Sequence, residues 1–335
     1  MKKIKLILLV LVLGIQSCKT QPSKINGVSF VASREPINHI HINPVVNINA
    51  NYAAVMPFGF IRNLTHPEII FNTERQWFGE RSAGVKQYIE ELEKKAIKIM
   101  LKPQIWIGRG QFTGYVEMKS EAEWKLFEDS YLKFILEYAR LAQVTKVDMF
   151  CIGTELEKFI ENRPQYWSLL ITEIKSIYKG KLTYAANWDE FKRIPFWNKL
   201  DYIGVDAYFP VSDSKTPTLE ECLEGWKQHK VVIRDLSIKN NKPILFTEFG
   251  YRSVDYSGEK PWVSDRSMNQ INLEAQSNTT KALFETFWKE DWFAGGFVWK
   301  WFHDHHNVGG ENNSQFTPQN KPAEDIIKYY YTSKP

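Results

Sequence analysis

Eight short β-favouring runs, spaced along the whole chain, limit its folding more than any other feature. They are Val28 to Val31, Ala53 to Met56, Ile97 to Leu101, Val147 to Ile152, Leu182 to Ala186, Tyr202 to Val205, Ile244 to Thr247 and Gly296 to Trp299. Several are continuous apolar runs without alternation, which suits parallel strands covered on both faces. Between them lie helical patterns. Val85, Tyr88, Ile89, Leu92 and Ala96 follow the 3.6-residue period, as do Trp124, Phe127, Tyr131, Phe134, Ile135, Tyr138 and Ala142. Eight strands alternating with helices predict the α/β class: a (β/α)8 TIM barrel forming a single domain over 26–335, with a doubly wound open sheet as the alternative.

In such a barrel, chemistry gathers where the strands end, at the C-terminal face. Here several runs finish on polar or aromatic groups: Glu155 after MFCIGT, Asn187 and Trp188 after TYAA, Asp206 and Tyr208 after YIGV, Glu248 after ILFT, and Trp299 to Trp301 after GGFV. One strand-end carboxylate would serve as a structural partner. Two glutamates, on the fourth and seventh runs, face each other across a barrel mouth. Glycoside hydrolysis needs such a pair, one carboxyl to protonate the leaving oxygen and one to attack carbon or activate water. At a separation of about 5 to 5.5 Å the reaction retains anomeric configuration through a covalent intermediate. Glu155 is the expected acid/base and Glu248 the expected nucleophile.

The N-terminus reads as an address. Lys2, Lys3 and Lys5 precede LILLVLVLGI, an apolar run of 10 residues that is too short for a permanent membrane span. Ile15-Gln16-Ser17-Cys18 then resembles a bacterial lipobox, with Cys18 as the lipidated residue. An ordinary secretory signal with an incidental cysteine is the alternative. Residues 1–18 are thus expected to be a lipoprotein signal, 19–25 a polar tether, and the mature protein a lipid-anchored, monomeric resident of a bacterial envelope, with the membrane face open. The two other cysteines, Cys151 and Cys222, offer no disulfide framework or zinc spacing. A net charge of +4 without a basic block argues against nucleic acid. The aromatic content of 14% exceeds the needs of an average core and suits a protein that stacks flat sugar faces on rings.

Other constellations carry less. His303, Asp304, His305 and His306 could bind a divalent metal, but adjacent loop positions rarely converge on one ion, and shaping the cleft rim is the better reading. Glu157 and Asp206 have sufficient structural roles, while Arg62 and Arg109 could contact sugar, fix Glu248 or simply lie on the surface.

Acid/base after strand four and nucleophile after strand seven is the pattern of the retaining barrel glycosidase clan. Within it the chain resembles glycoside hydrolase family 113, the β-mannanases, through MLKPQIWI (100–107), CIGTELE (151–157), LDYIGVDAYFP (200–210), LFTEFGYRS (245–253) and GFVWKWF (296–302), spread over about 26–330. The resemblance implies that Tyr208 bonds to Glu248 and that Trp299 floors the subsite of the attacked sugar. Gln104, Trp106, Asn187 and Trp188 are expected as sugar contacts from their strand-end positions. Many clan members carry Asn immediately before the acid/base, where this chain has Thr154. The expected activity is retaining hydrolysis of β-1,4-mannan or manno-oligosaccharides without metal or organic cofactor. Another β-linked glycan (glucan, xylan or chitosan) and a non-catalytic glycan-binding lipoprotein are the alternatives.

Overall fold

The computed structural model describes residues 23–264 and 269–332. Cys18 and the export signal therefore lie outside the described residues. Eight parallel strands close into a barrel: β1 (Ile25–Phe30), β2 (Tyr52–Val55), β3 (Lys98–Leu101), β4 (Met149–Thr154), β5 (Lys181–Asn187), β6 (Ile203–Asp206), β7 (Ile244–Phe249) and β8 (Phe293–Trp301). Each expected run contributes one strand, and β8 pairs with β1, so the barrel itself has no free edge. The open-sheet alternative is thereby excluded.

The tether reading needs correction at its end. Ile25 already pairs with Gly295, and Lys24 is buried with its Nζ donating to the carbonyls of Phe293 and Glu290. The barrel therefore begins inside the stretch taken as tether, because an amphipathic lysine can bury its stem while satisfying its ammonium on backbone oxygens.

Two apolar layers hold the fold. The barrel interior is filled by Ile25, Ala54, Met100, Met149, Cys151, Ala185, Leu245 and Phe297. Phe297, the partner of Gly27 on the neighbouring strand β8, lays its ring so close that a Cβ on Gly27 would come within 2.4 Å of it, which explains glycine in β1. The larger layer lies between strands and helices and absorbs most of the aromatic surplus, including the fully buried Tyr131, Trp167, Tyr184 and Trp226. Cys151 and Cys222 are buried free thiols in these layers.

The helices are α1 (His39–Asn47), α2 (Ser82–Glu93), α3 (Glu121–Thr145), α4 (Glu157–Asn162), α5 (Pro164–Ile177), α6 (Leu219–Asn240), α7 (Leu273–Phe287) and α8 (Pro322–Thr332). Their starts are written locally. Ser120, Thr218 and Asn272 cap α3, α6 and α7 by accepting a backbone N–H of the first turn. Pro164 opens α5, where its missing N–H costs nothing.

One element was not anticipated. Residues 58–61, 70–71 and 104–107 form a three-stranded side sheet beyond the ends of β2 and β3. Its runs are too short for their periodicity to stand out, yet it places Gln104 and Trp106 beside the barrel mouth.

Candidate active site

Glu248 is the penultimate residue of β7 and sits in register with Asp206 of β6. Its side chain is only 6% exposed and is held from three sides. Oε1 accepts from Lys102 Nζ at 2.5 Å and Gln104 Nε2 at 2.9 Å, and Oε2 accepts from Tyr208 Oη at 2.7 Å. All three partners are donors, a pattern that suits an ionised, acceptor-only carboxylate. Phe316 packs edge-on against Tyr208 and limits its movement.

Lys102 is the residue the sequence reading missed. It is fully buried one position beyond β3, and its ammonium is shared between Glu248 and Asp206, with Asp206 Oδ1 at 3.2 Å and Oδ2 at 3.4 Å. Burial pulls its pKa down, but Asp206 and Glu248 outweigh that and hold it above the ordinary lysine range. Asp206 is pushed up to about 7, by burial first and then by Glu248, against the pull of Lys102 and a 2.7 Å bond from Thr247 Oγ1. The signal was present in the sequence: KIML runs straight into Lys102, as ILFT runs into Glu248.

Glu155 follows β4 in a different setting. Its backbone occupies the left-handed region at φ 51°, and its N–H donates to Ala185 O at 2.8 Å. A non-glycine residue there costs of order 1–3 kcal/mol and persists only where the surroundings impose it. The imposing groups are visible. Leu156 N donates to Tyr184 Oη at 2.6 Å, Tyr184 donates to Glu190 Oε1 at 2.8 Å, and Glu190 Oε2 accepts from Asn187 N at 3.0 Å. The Glu155 carboxyl itself accepts no hydrogen bond among the described residues. Burial, followed by Asp206 and Glu248, raises its pKa well above the carboxylate range. Glu190 is likewise pushed up to about 8, mainly by burial. Thr154, the last residue of β4, buries its Oγ1 beside the Cys151 thiol.

The remaining expected residues divide. Gln104 reaches Glu248 directly. Trp106 lies two positions further along the same strand, hence on the same side, and is 52% exposed. Trp299 ends half-buried at the mouth, and its carbonyl would lie 2.3 Å from a Cβ on Gly250. Lys300 Nζ lies 5.3 Å from the centroids of both Trp299 and Phe302. Asn187 turns its Oδ1 to Trp188 N at 2.8 Å, and Trp188 stacks on Trp262 with centroids 5.0 Å apart. Trp262, 41% exposed, extends the aromatic rim and was not anticipated.

Arg62 and Arg109 are both exposed, and neither fixes Glu248. Glu157 pairs with Arg193. In the histidine run, His305 pairs with Glu324 at 2.8 Å and His303 packs edge-on against His41. Among the described residues no group of His, Cys, Asp or Glu is arranged to hold a metal ion. A cavity of about 600 Å³ lies at the other end of the barrel, lined by Lys24, Tyr52, Lys98 and Tyr202, so volume alone is a poor guide to the carboxylate site.

The sequence model of Glycoside Hydrolase Family 113 matches residues 35–321. No curated protein matches the chain. Among solved structures, a GH113 β-1,4-mannanase complex superposes with a TM-score of 0.80 at 23% identity, covering 93% of this chain and 100% of that one. The GH113 β-mannanase AaManA of Alicyclobacillus acidocaldarius, in complex with ManMIm, gives 0.79 at 21% identity, covering 92% and 97%. A β-glucuronidase of Faecalibacterium prausnitzii gives 0.63 at 14% identity, covering 94% of this chain and 50% of its own. At these identities the structural likeness speaks for the shared barrel.

Proposed function

Because the chain belongs to glycoside hydrolase family 113 and is a glycoside hydrolase, we propose that it cleaves β-1,4-mannan or manno-oligosaccharides by double displacement at Glu248 and Glu155. One observation carries the mechanism: the two glutamates share a mouth in contrasting surroundings. Glu248 is fixed by three donors, whereas Glu155 is biased toward its protonated form.

In the first step Glu248 attacks the anomeric carbon while Glu155 gives its proton to the leaving glycosidic oxygen. Tyr208 and Gln104 hold the attacking carboxylate in line, and Lys102 offsets the cost of keeping it charged while buried. Once Glu248 is esterified its charge is gone, and with it one of the causes that raise the Glu155 pKa. Glu155 then acts as base toward the incoming water, which releases the sugar with retained configuration. The two carboxyls supply both proton and nucleophile, so the reaction requires no metal. Trp299 provides the face for the attacked sugar.

The mannanase names of the structural neighbours and the GH113 match support mannan as substrate. The test is incubation of residues 19–335 with mannohexaose, xylohexaose, cellohexaose and chitosan hexamer, following product length and anomeric form. Release of the β-anomer from mannohexaose supports substrate and mechanism. Cleavage of another hexamer alone moves the substrate assignment, and binding without cleavage of any would make this a glycan-binding protein. We also infer, from Ile15 to Cys18, that Cys18 is acylated and tethers the enzyme to a bacterial envelope. Palmitate labelling of the full chain, lost in Cys18→Ala, tests that reading.

A further inference from the structure

We propose that the floor of the barrel, the face opposite the catalytic mouth, docks on the anionic phospholipid headgroups of the leaflet that holds the anchor. The proposal rests on the acylation reading of Cys18 for its setting, but the surface is argued from the body of the protein.

Reach comes first. The barrel wall begins at Ile25, and Ser23 and Lys24 lie at the floor beside Phe293. From Cys18 to Ser23 a fully extended chain spans at most about 18 Å. An acylated Cys18 therefore keeps the floor, the end of the barrel opposite the mouth, within about two Debye lengths of the headgroups.

Charge is the second observation. The four lysines within residues 1–22 equal the chain's whole net charge of +4, so the body is balanced overall. Its lysines are not evenly placed. Each of the six successive turns leading into β3 through β8 carries an exposed lysine: Lys95, Lys146, Lys179, Lys199, Lys239 and Lys289. None of these six forms an ion pair among the described residues. The acids of the same face are mostly engaged: Asp148 with Lys98, Asp201 with Lys181 and Glu290 with Lys230. Glu93, Glu173 and Asp291, the last beside Lys24, are exposed acids near this face that reduce the field. A ring of exposed lysines without ion pairs suits a surface of phosphates, which attracts every such group near it.

The third observation is apolar. Val144 is 73% exposed, Ile238 67% and Tyr329 66%, and all three lie in the last turns of α3, α6 and α8. Those turns end at the floor: α3 and α6 lead into β4 and β7, while Thr332 accepts from Asn49, just ahead of β2. Val144 and Ile238 stand next to Lys146 and Lys239, the mixture of apolar side chains and lysines that sits at a headgroup boundary. The hollow lined by Lys24, Tyr52, Lys98 and Tyr202 opens at the centre of this ring. No helix among the described residues is long and apolar enough to cross a membrane, so the contact is one of surface only.

All eight strands lie within 25–301, so the unacylated chain 19–335 carries the complete barrel and can be tested directly. It is mixed with vesicles of phosphatidylethanolamine and phosphatidylglycerol, roughly three to one, or of phosphatidylcholine, at about 20 and about 500 mM salt. The expected result is sedimentation with the anionic vesicles at low salt only. Binding should weaken at least about tenfold in the quadruple variant Lys95→Glu, Lys146→Glu, Lys179→Glu and Lys289→Glu, with hydrolysis in solution unchanged. Equal binding to both vesicle types, binding equal in the variant, or no binding at either salt overturns the proposal. Palmitate labelling separates the two readings: an unlabelled chain that binds through its lysines removes the anchor and keeps the surface, and a labelled chain whose body does not bind does the reverse.

Discussion

The ends of β7 and β4 hold the same residue type under opposite regimes. At β7, Glu248 is over-determined: three side-chain donors, two from the stretch after β3 and one from the stretch after β6, converge on two oxygens. At β4, constraint is applied to the backbone instead. The Tyr184–Glu190 relay and the Ala185 carbonyl pin the peptides around Glu155 while its carboxyl accepts no hydrogen bond among the described residues. A nucleophile has to keep one position and one charge. An acid that later becomes a base has to hold a fixed position while its proton affinity changes, and every permanent hydrogen bond would bias it toward one form.

Removing the carboxyls should break the contrast most completely. Glu248→Ala is expected to lose about 10⁴-fold or more in kcat on every substrate. Glu155→Gln should lose about 10²–10⁴-fold on oligosaccharides and far less on an aryl glycoside whose leaving group needs no proton. Equal losses on both substrate types for Glu155→Gln would remove its role as acid.

Lys102→Met tests whether Glu248 owes its state to the buried ammonium. Leaving Asp206 and Glu248 without their cation should cost about 3–5 kcal/mol of stability by denaturant titration. A loss below about 1 kcal/mol would mean that the cluster is held by its hydrogen bonds alone.

A subtler test uses pH on the Glu155 side. Since the Glu155 pKa is raised, the alkaline limb of kcat/KM should lie well above the ordinary carboxylate range and disappear in Glu155→Gln. Glu190, raised to about 8, has a stability consequence of fixed sign. The unfolded chain ionises it near 4.5 and the folded chain only near 8, so wild type should lose stability relative to Glu190→Gln as pH rises through that window. A difference that is flat with pH in thermal melts would show that Glu190 is already ionised in the native state.

The smallest effect is expected at the rim. Trp262→Ala removes one ring of the Trp188–Trp262 stack and should raise KM for hexaose by about three- to tenfold, corresponding to about 0.5–1.5 kcal/mol, with kcat nearly unchanged. A fall in kcat without a change in KM would place Trp262 outside the binding path.

Much of this was legible beforehand, unevenly. The eight strands appeared because a strand buried on both faces has to be written as an apolar run, and the runs survive any reasonable placement of their ends. Glu248 and Glu155 stood out because charge at the end of such a run is expensive unless used. Lys102 obeys the same rule and was passed over because it carries the opposite charge, which on its own suggests a surface. The Tyr184–Glu190 relay left no comparable trace, since its members are 6 residues apart and act on a peptide 28 residues from Tyr184. Trp262 lies in a loop, where no period marks which side chains turn inward.

By itself, then, the sequence determined the architecture, the pair of strand-end glutamates and the relationship to family 113, because all three are carried by patterns local in the chain or by the order of local patterns. Tertiary structure alone decided which groups surround each glutamate. That follows from how charges act: a carboxyl's proton affinity depends on whichever burial and neighbouring charge the closed barrel brings within a few ångströms, and Lys102, Asp206 and Glu248 become neighbours only when β3, β6 and β7 are curved around a common axis.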